Sequence, residues 1–325
     1  MAEVMLLKRS EVQRLLKMSE ALEAVERAFR LQAEGKATMP PKLYLELPQY
    51  HGDFRAMPAH INESAGIKWV CVYPGNRAHN LHTVVAIIIL SDPRTGYPLA
   101  VMDGSYITDM RTGAAGGIAA KYLARKDSSI IGMIGAGAQA RSQLMALREV
   151  LLETREVKVF DSLESARVEY AHEMRATLDL NVRPVSTTEE AAEADIVVLT
   201  TPSRKPVLLK QHVRPGTHIN AIGADASGKQ ELEGEILKGA KIVIDDLVQA
   251  SHSGEINVPL SEGVIKPEDI YGTLGEVVAG LKPGRESDEE ITIFDSTGLA
   301  IQDIVCTKLV YEKAKQEEVP TFELL

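Results

Sequence analysis

Hydrophobic positions change their spacing along this chain, and each spacing predicts a different kind of element. Near the N-terminus Leu22, Val25, Phe29 and Ala33 recur at helical spacing. Roughly the first 35 residues are therefore predicted to be helical, with Gly35 ending the second helix.

After two consecutive prolines, apolar residues occur at every second position: Leu43, Leu45 and Leu47 alternate with polar residues. This alternation predicts a half-buried strand. Short apolar runs bounded by turn residues then predict further strands at 54–59, 66–73, 84–90 and 99–103. Several short strands in succession predict a largely antiparallel sheet.

From Thr108 the pattern becomes helical, and beyond that helix strand and helix alternate. The helix carries five small residues at 113–117, which are costly in a helix unless another element packs very close to them. The later strands are predicted at 130–134, 157–160, 182–185, 195–200, 217–222, 241–244 and 291–294. This alternation is typical of a doubly wound, mostly parallel sheet.

A last helix, Leu299 to about Gln316, is too apolar for a free tail and is expected to return to the first domain.

The length of 325 residues exceeds the usual size of a single core, so we expect two domains. Residues 1–122 with 299–325 are predicted to form one domain, and residues 123–298 the other. The fold class is α/β: a doubly wound, Rossmann-type domain plus an α+β domain with a largely antiparallel sheet.

The segment from Ile130 to Asp161 has the order strand, glycine turn, helix, strand and acid that a dinucleotide site requires. Gly135 permits the tight turn, Gly137 lets the backbone approach a pyrophosphate, and Ala140 lets the helix pack closely on the strand. The helix N-terminus attracts phosphates. Asp161 follows about 20 residues later, where an acid accepts hydrogen bonds from a ribose and repels a 2′-phosphate. NAD is therefore predicted in preference to NADP.

Composition and charge exclude several classes of function. A net charge of −10 argues against nucleic-acid binding. The longest apolar run, 84–90, is too short to cross a membrane, and the N-terminus lacks the pattern of a secretion signal. Cys71 and Cys306 are expected to be buried thiols in a cytoplasmic protein. The eight histidines form no ligand pattern, so no metal is predicted.

Polar residues follow three predicted strands at their carboxyl ends, at 200–203, 223–225 and 295–298. In an open α/β sheet these ends line the ligand crevice. Asp225, flanked by Gly223 and Gly228 with Lys229 four residues later, is the best candidate for an acid or base. The alternative is that Asp225 caps a helix.

Four cations in the first domain are candidates for binding an anion. Lys68 interrupts an apolar strand, so its ammonium either has a function or extends its head to solvent. Arg55 lies in another strand, where it would bind a carboxylate or form a structural ion pair. Arg111 is placed in the first turn of a helix, where its charge opposes the dipole and favours an anionic ligand. Lys42 is the weakest of the four.

Together these segments resemble the ornithine cyclodeaminase/mu-crystallin family. The resemblance extends over nearly the whole chain and rests on the motifs at 55–59, 66–70, 110–115, 121–124, 218–225, 228–232 and 294–303. Within the family, the chain is most similar to the archaeal-type alanine dehydrogenases.

The resemblance implies a homodimer whose first domain forms the interface and the substrate site. It implies that Lys68 and Asp225 are the reacting pair, facing each other across a cleft. Arg55, Lys68 and Lys42 are expected to bind the substrate through its carboxylate. The residues implied to contact NAD are Arg111, Thr112, Gly135, Gly137, Ala138, Gln139, Asp161, Ser162, Thr201, Pro202, Ile222, Gly223, Lys229 and Ser296.

The residue type at position 55 distinguishes the subfamilies. Ornithine cyclodeaminases have an acid at this position, which suits the side-chain ammonium of ornithine, whereas an arginine repels it. The expected reaction is therefore the NAD-dependent, reversible oxidative deamination of L-alanine to pyruvate and ammonia. The alternatives are an ornithine cyclodeaminase, a ketimine reductase, and a crystallin-like protein that binds nucleotide without turnover.

Overall fold

The computed structural model describes residues 3–151 and 153–324, and its chain divides into two compact units. The first unit contains the chain up to Arg111 and the segment from Leu299 onward, and the second unit is Thr112–Gly298. The division falls within the helix Ser105–Leu123. The boundary after residue 122 stays a prediction.

The described residues form strands and short to medium helices. The strands are β1 (Glu3–Leu7), β2 (Ala37–Thr38), β3 (Leu43–Leu47), β4 (Gly52–Ile61), β5 (Ser64–Val72), β6 (Val84–Ser91), β7 (Pro98–Asp103), β8 (Ile130–Ile134), β9 (Glu156–Phe160), β10 (Val182–Pro184), β11 (Ile196–Leu199), β12 (His218–Ala221), β13 (Lys241–Ile244), β14 (Ile270–Thr273), β15 (Thr292–Asp295) and β16 (Thr321–Glu323). The helices are α1 (Arg9–Leu15), α2 (Met18–Ala33), α3 (Ser105–Leu123), α4 (Ala138–Val150), α5 (Glu164–Leu178), α6 (Thr188–Ala192), α7 (Gly234–Leu237), α8 (Leu247–Ser253), α9 (Asn257–Ser261), α10 (Leu274–Val278) and α11 (Ala300–Ala314). None of the described helices is long and apolar enough to cross a membrane.

The sheet of the first unit has the order β16-β1-β7-β6-β5-β4-β2, with β3 also paired to β4. Its pairs are antiparallel except for β1 with β7, so the predicted largely antiparallel sheet is confirmed. The expectation of helix from the first residues is wrong for β1. Its run Val4–Leu7 is short and apolar, and such a run fits a strand as well as a helix.

The two faces of this sheet differ. On the inner face Met57, Val70, Ile88 and Met102 are buried, and α2 and α11 lie in the same unit. Helix α11 approaches β5 so closely that a Cβ on Gly66 would lie 2.9 Å from the side chain of Ile304. The C-terminal helix is therefore part of the core of the first unit.

On the other face, large apolar side chains stay exposed. Trp69 pairs across the strands with Ile87, and both belong to a set of residues 39–49% exposed on β1, β5 and β6. We call this set the outer apolar face; its members are Leu6, Trp69, Val85, Ile87 and Ile89. Monomeric soluble proteins rarely expose contiguous apolar patches of this kind.

The sheet of the second unit is parallel throughout, in the order β10-β9-β8-β11-β12-β15-β13-β14. The seven predicted strands are confirmed to within about two residues at their ends, and β14 was not predicted. Strands β9 and β11 lie on opposite sides of β8, so the winding direction reverses there. Such a reversal opens a crevice at the carboxyl ends of the strands.

Helix α3 begins at Ser105, earlier than predicted, so the prediction that Arg111 lies in its first turn is wrong and the helix dipole gives no reason for an anion there. Its small residues do have a close neighbour. A Cβ on Gly113 would lie 2.4 Å from the backbone oxygen of Ser142, and one on Gly116 would lie 1.9 Å from Oε1 of Gln143. Helix α4 therefore packs against α3 at a distance that only glycine allows.

Candidate functional site

The glycine turn follows β8 and leads into α4. Gly135 has a φ of +102°, and a Cβ there would lie 2.7 Å from Oγ1 of Thr200, so only glycine fits. A Cβ on Gly137, the N-cap of α4, would meet nothing within 4 Å. The helix N-terminus, at Ala138 and Gln139, has no side-chain cap and is bordered by open space. This arrangement fits an anionic ligand.

Asp161 directly follows β9 and supports the same turn. Its carboxylate accepts hydrogen bonds from the backbone N–H groups of Ala136 and Leu163, both at 2.9 Å. Ser162, next in the chain, is exposed. The sequence did not indicate Arg141, whose Nη1 donates to the carbonyl oxygens of Ala136 at 2.7 Å and Gly137 at 3.1 Å. Asp161 and Arg141 therefore both hold the backbone of the glycine turn in place through hydrogen bonds.

The loops after β11, β12 and β15 begin with Thr200, Ile222 and Ser296 at the carboxyl edge of the sheet. The hydroxyl oxygens of Thr200 and Ser296 are buried and have no hydrogen-bond partner among the described residues. Buried polar atoms without partners are rare in proteins, so these two suit a polar ligand.

Glu231, for which the sequence predicts no role, holds the backbones of two of these loops. Its carboxylate accepts the N–H of Thr201 at 2.6 Å and that of Gly223 at 2.7 Å. Pro202 follows Thr201 and is exposed.

Asp225 lies in an irregular segment, and the next helix, α7, begins at Gly234. The alternative that Asp225 caps a helix is therefore wrong. Its side chain is 32% exposed and forms an ion pair with Nζ of Lys229 at 2.5 Å. A carboxylate with this exposure can exchange a proton with a ligand.

In the first unit, Lys68 on β5 is 1% exposed, so the alternative of a head in solvent is wrong. Its Nζ lies 2.7 Å from Oδ2 of Asp303 and 3.3 Å from Oγ1 of Thr108. Burial and the positive charge of Arg111 lower the pKa of Lys68 to about 7, although Asp303 opposes the shift. This lysine can therefore both donate and accept a proton near neutral pH.

Arg111 shares the same carboxylate. Its Nε donates to Oδ1 of Asp303 at 2.9 Å, and its Nη1 donates to Oε1 of Gln302 at 3.2 Å. One buried carboxylate thus lies between Lys68 and Arg111 and contacts both. Asp303 was not predicted as a site residue, although an acid within the apolar run Ile301–Cys306 was a usable signal.

Arg55 lies on the inner face of the sheet, since Met57 pairs with Lys68 and Arg55 is two residues before Met57. It is 4% exposed, and its Nε lies 2.6 Å from Oδ1 of Asp53. Its guanidinium carbon also lies 5.2 Å from the ring centroid of Tyr44. The ion-pair alternative is thus present in the structure, and it also fixes the direction of the guanidinium.

Lys42 precedes β3 and is half-buried. Its charge is one of those that lower the pKa of Lys68. The first unit therefore brings Lys42, Lys68 and Arg111 together, with Arg55 on the same face of the sheet.

The second unit gathers the other predicted residues at the carboxyl edge of its own sheet. Thr112 is separate from that edge: it is buried in α3, and its carbonyl oxygen accepts the Nε2–H of Gln143 at 2.8 Å. The roles of all these residues stay predictions.

The family model of the ornithine cyclodeaminase/mu-crystallin family matches residues 2–318. The chain belongs to this family. Over 319 residues it is 59% identical to an alanine dehydrogenase of Archaeoglobus fulgidus, across 98% of this chain and 97% of that protein. The family resemblance that the motifs indicate is confirmed.

Solved structures of family relatives share the fold. An archaeal alanine dehydrogenase dimer with bound NAD has a TM-score of 0.96 at 56% identity, covering 99% of this chain and 100% of its own. A Δ1-pyrroline-2-carboxylate reductase of Thermococcus litoralis, in complex with NADH and L-proline, has a TM-score of 0.96 at 41% identity, with coverage of 99% and 100%. The predicted fold class is confirmed.

Proposed function

We propose that this chain is an NAD-dependent alanine dehydrogenase, which interconverts L-alanine with pyruvate and ammonia. The observation that carries the proposal is the 59% identity to the Archaeoglobus enzyme over almost the whole of both chains. The presence of Arg55 supports it, because a buried guanidinium binds the substrate carboxylate and favours a substrate whose side chain carries no positive charge. We place the reaction in the cytoplasm.

The residues present fit NAD. The turn provides open space at Gly137 and an uncapped helix N-terminus for the pyrophosphate, and Asp161 provides a carboxylate for a ribose. The unpartnered hydroxyl oxygens of Thr200 and Ser296 supply further polar contacts. Bound NAD supplies the acceptor for the hydride that leaves Cα of alanine.

The other residues proposed to contact NAD lie along the same edge or in α3. They are Arg111, Thr112, Gly135, Ala138, Gln139, Ser162, Thr201, Pro202, Ile222, Gly223 and Lys229. For Arg111 the contact with Asp303 adds a second proposed role, in the charge balance of the substrate site.

The substrate carboxylate is proposed to bind the cations of the first unit. Arg55 offers a guanidinium whose direction Asp53 fixes, and Lys42 and Lys68 add positive charge. A carboxylate fixed in this way orients Cα, and orientation alone lowers a barrier by several kcal/mol.

Two groups are proposed to move protons. Cα cannot release a hydride while the amine is protonated, because the nitrogen then has no lone pair to share with carbon. Asp225 is proposed to take the amine proton and later to activate water. Lys68, with a pKa of about 7, is proposed to protonate and deprotonate the oxygen that develops at Cα.

The assembly is proposed to be a homodimer formed through the outer apolar face. We expect Ile87→Glu to convert the protein to monomers, because it places a charge at the centre of that face, where Ile87 is 49% exposed. The measurement is molar mass by light scattering after gel filtration. Val168→Glu is the control, since Val168 is equally exposed at 49% but lies on α5 of the second unit. Unchanged mass for Ile87→Glu would refute this interface.

The reaction is tested by following NADH absorbance at saturating ammonium with pyruvate and with larger oxo-acids. We expect rapid NADH loss with pyruvate. Loss only with cyclic ketimines would favour a reductase like the Thermococcus relative, which is 41% identical. Proline formation from ornithine without net NADH change would favour a cyclodeaminase, and NADH binding without any turnover would favour a binding protein.

A further inference from the structure

The carboxylate of Glu231 joins the starts of the two loops that follow β11 and β12, at Thr201 and at Gly223. It is fully buried, and each oxygen accepts one backbone N–H, from Thr201 at 2.6 Å and from Gly223 at 2.7 Å. A Cβ on Gly223 would lie 2.1 Å from the carbonyl oxygen of Thr201 and 2.6 Å from Oε2 of Glu231. The two loops therefore meet at a distance that no side chain at Gly223 permits.

Glu231 is itself held in place by a second buried carboxylate. Glu255 accepts the backbone N–H of Glu231 at 2.9 Å and that of Leu232 at 2.7 Å. Asp295, at the end of β15, in turn accepts the N–H of Glu255 at 2.9 Å. This succession of buried acceptors connects the loops at Thr201 and Gly223 to the end of another strand of the sheet.

We propose that Glu231 is a positioning residue, which fixes the Thr201 loop for NAD and the Gly223–Asp225 loop for proton transfer. The inference rests on the proposed function, since it needs these loops to bind the nucleotide and to carry Asp225. Glu231 touches neither substrate nor nucleotide in this role. It acts by accepting both N–H groups at once.

Accepting two N–H groups requires the ionised carboxylate. A proton on either oxygen places a hydrogen opposite an N–H donor and weakens one of the two contacts. Burial raises the pKa of Glu231 to about 7, against the hydrogen bonds from Thr201 and Gly223 and the charge of Lys229. The other acidic groups facing it are Glu255 and, behind Glu255, Asp295. The order of both loops should therefore increase as the pH rises through about 7.

The test is a fluorescence titration of the full-length protein with NADH between about pH 6 and about pH 8.5. The unmodified protein should bind NADH about tenfold more weakly at the acid end. Glu231→Gln has one acceptor oxygen and one donor nitrogen, so it should bind weakly at every pH and lose the pH dependence. Glu231→Asp, which keeps the charge, should recover part of both.

Glu233→Gln is the matched control. The Glu233 carboxylate also accepts a backbone N–H, that of Lys210 at 2.7 Å, but it accepts none from Thr201 or Gly223. It should behave like the unmodified protein. Thermal melts of each variant establish that it is folded.

Equal NADH affinity and equal pH dependence in Glu231→Gln and the unmodified protein would overturn the inference. If Glu231→Gln does not fold, an affinity of the unmodified protein that stays constant across this pH range overturns it instead. Failure of the unmodified protein to bind NADH at any pH would reject the proposed function and, with it, this inference.

Discussion

Replacing Lys68 by methionine is expected to lower alanine turnover by about 100-fold or more, the usual effect of removing a group that transfers a proton. Methionine fills a similar volume in the buried strand but has no Nζ to hold a proton. Asp303 keeps Arg111 as its partner, so the buried carboxylate is not left without a cation. NADH affinity should change less than about threefold, because the glycine turn lies in the second unit.

Lys158→Met is the control for this experiment. Lys158 is also a buried lysine on a strand, and its Nζ donates to the carbonyl oxygen of Glu193 at 2.8 Å. Its loss should lower the melting temperature and leave kcat unchanged. If Lys68→Met retained more than about a tenth of the wild-type kcat, Lys68 would not be a proton-transfer residue.

Replacing Asp225 by asparagine is expected to lower kcat by a similar factor of about 100 or more. Asparagine preserves the shape of the side chain but cannot accept a proton from the amine of alanine. The ion pair with Lys229 is lost, yet Asp225 is 32% exposed, so the effect on stability should be small. Stopped-flow and steady-state rates of alanine oxidation measure the effect, and NADH titration verifies that the nucleotide still binds.

Asp246→Asn provides the comparison for Asp225. Asp246 follows β13 and caps α8 by accepting the N–H of Gln249 at 2.9 Å. Asparagine caps a helix about as well as aspartate, so this variant should retain the full rate. A rate for Asp225→Asn that matches Asp246→Asn would exclude Asp225 as the base.

The second unit was predicted well from the sequence because the residues that define its elements lie close together in the chain. The strand, turn and acid at Ile130–Asp161 lie close together in the chain, and the need for glycine at Gly135 follows from the turn itself. A period-two run likewise identified β3, and short apolar runs bounded by turn residues identified β4 to β7. The start of α3 was less accurate, because Ser105–Ile107 could equally continue the preceding strand.

The partners of the candidate residues could not be predicted in the same way, because they come from distant parts of the chain. Asp303 reaches Arg111 across 192 positions and Glu255 reaches Glu231 across 24. Neither spacing follows from periodicity, and a buried acid in an apolar stretch does not indicate which cation it meets. The low pKa of Lys68 arises from burial and from Arg111, neither of which local sequence can quantify.

The return of α11 to the first unit has a consequence for synthesis on the ribosome. The second unit is one continuous segment, Thr112–Gly298, so every residue it needs has been translated before α11 exists. The first unit, in contrast, lacks α11 and β16 until the segment from Leu299 onward is made, and before then Lys68 and Arg111 have no contact with Asp303. The second unit can therefore form first during translation, whereas the first unit is completed only after α11 has emerged from the ribosome.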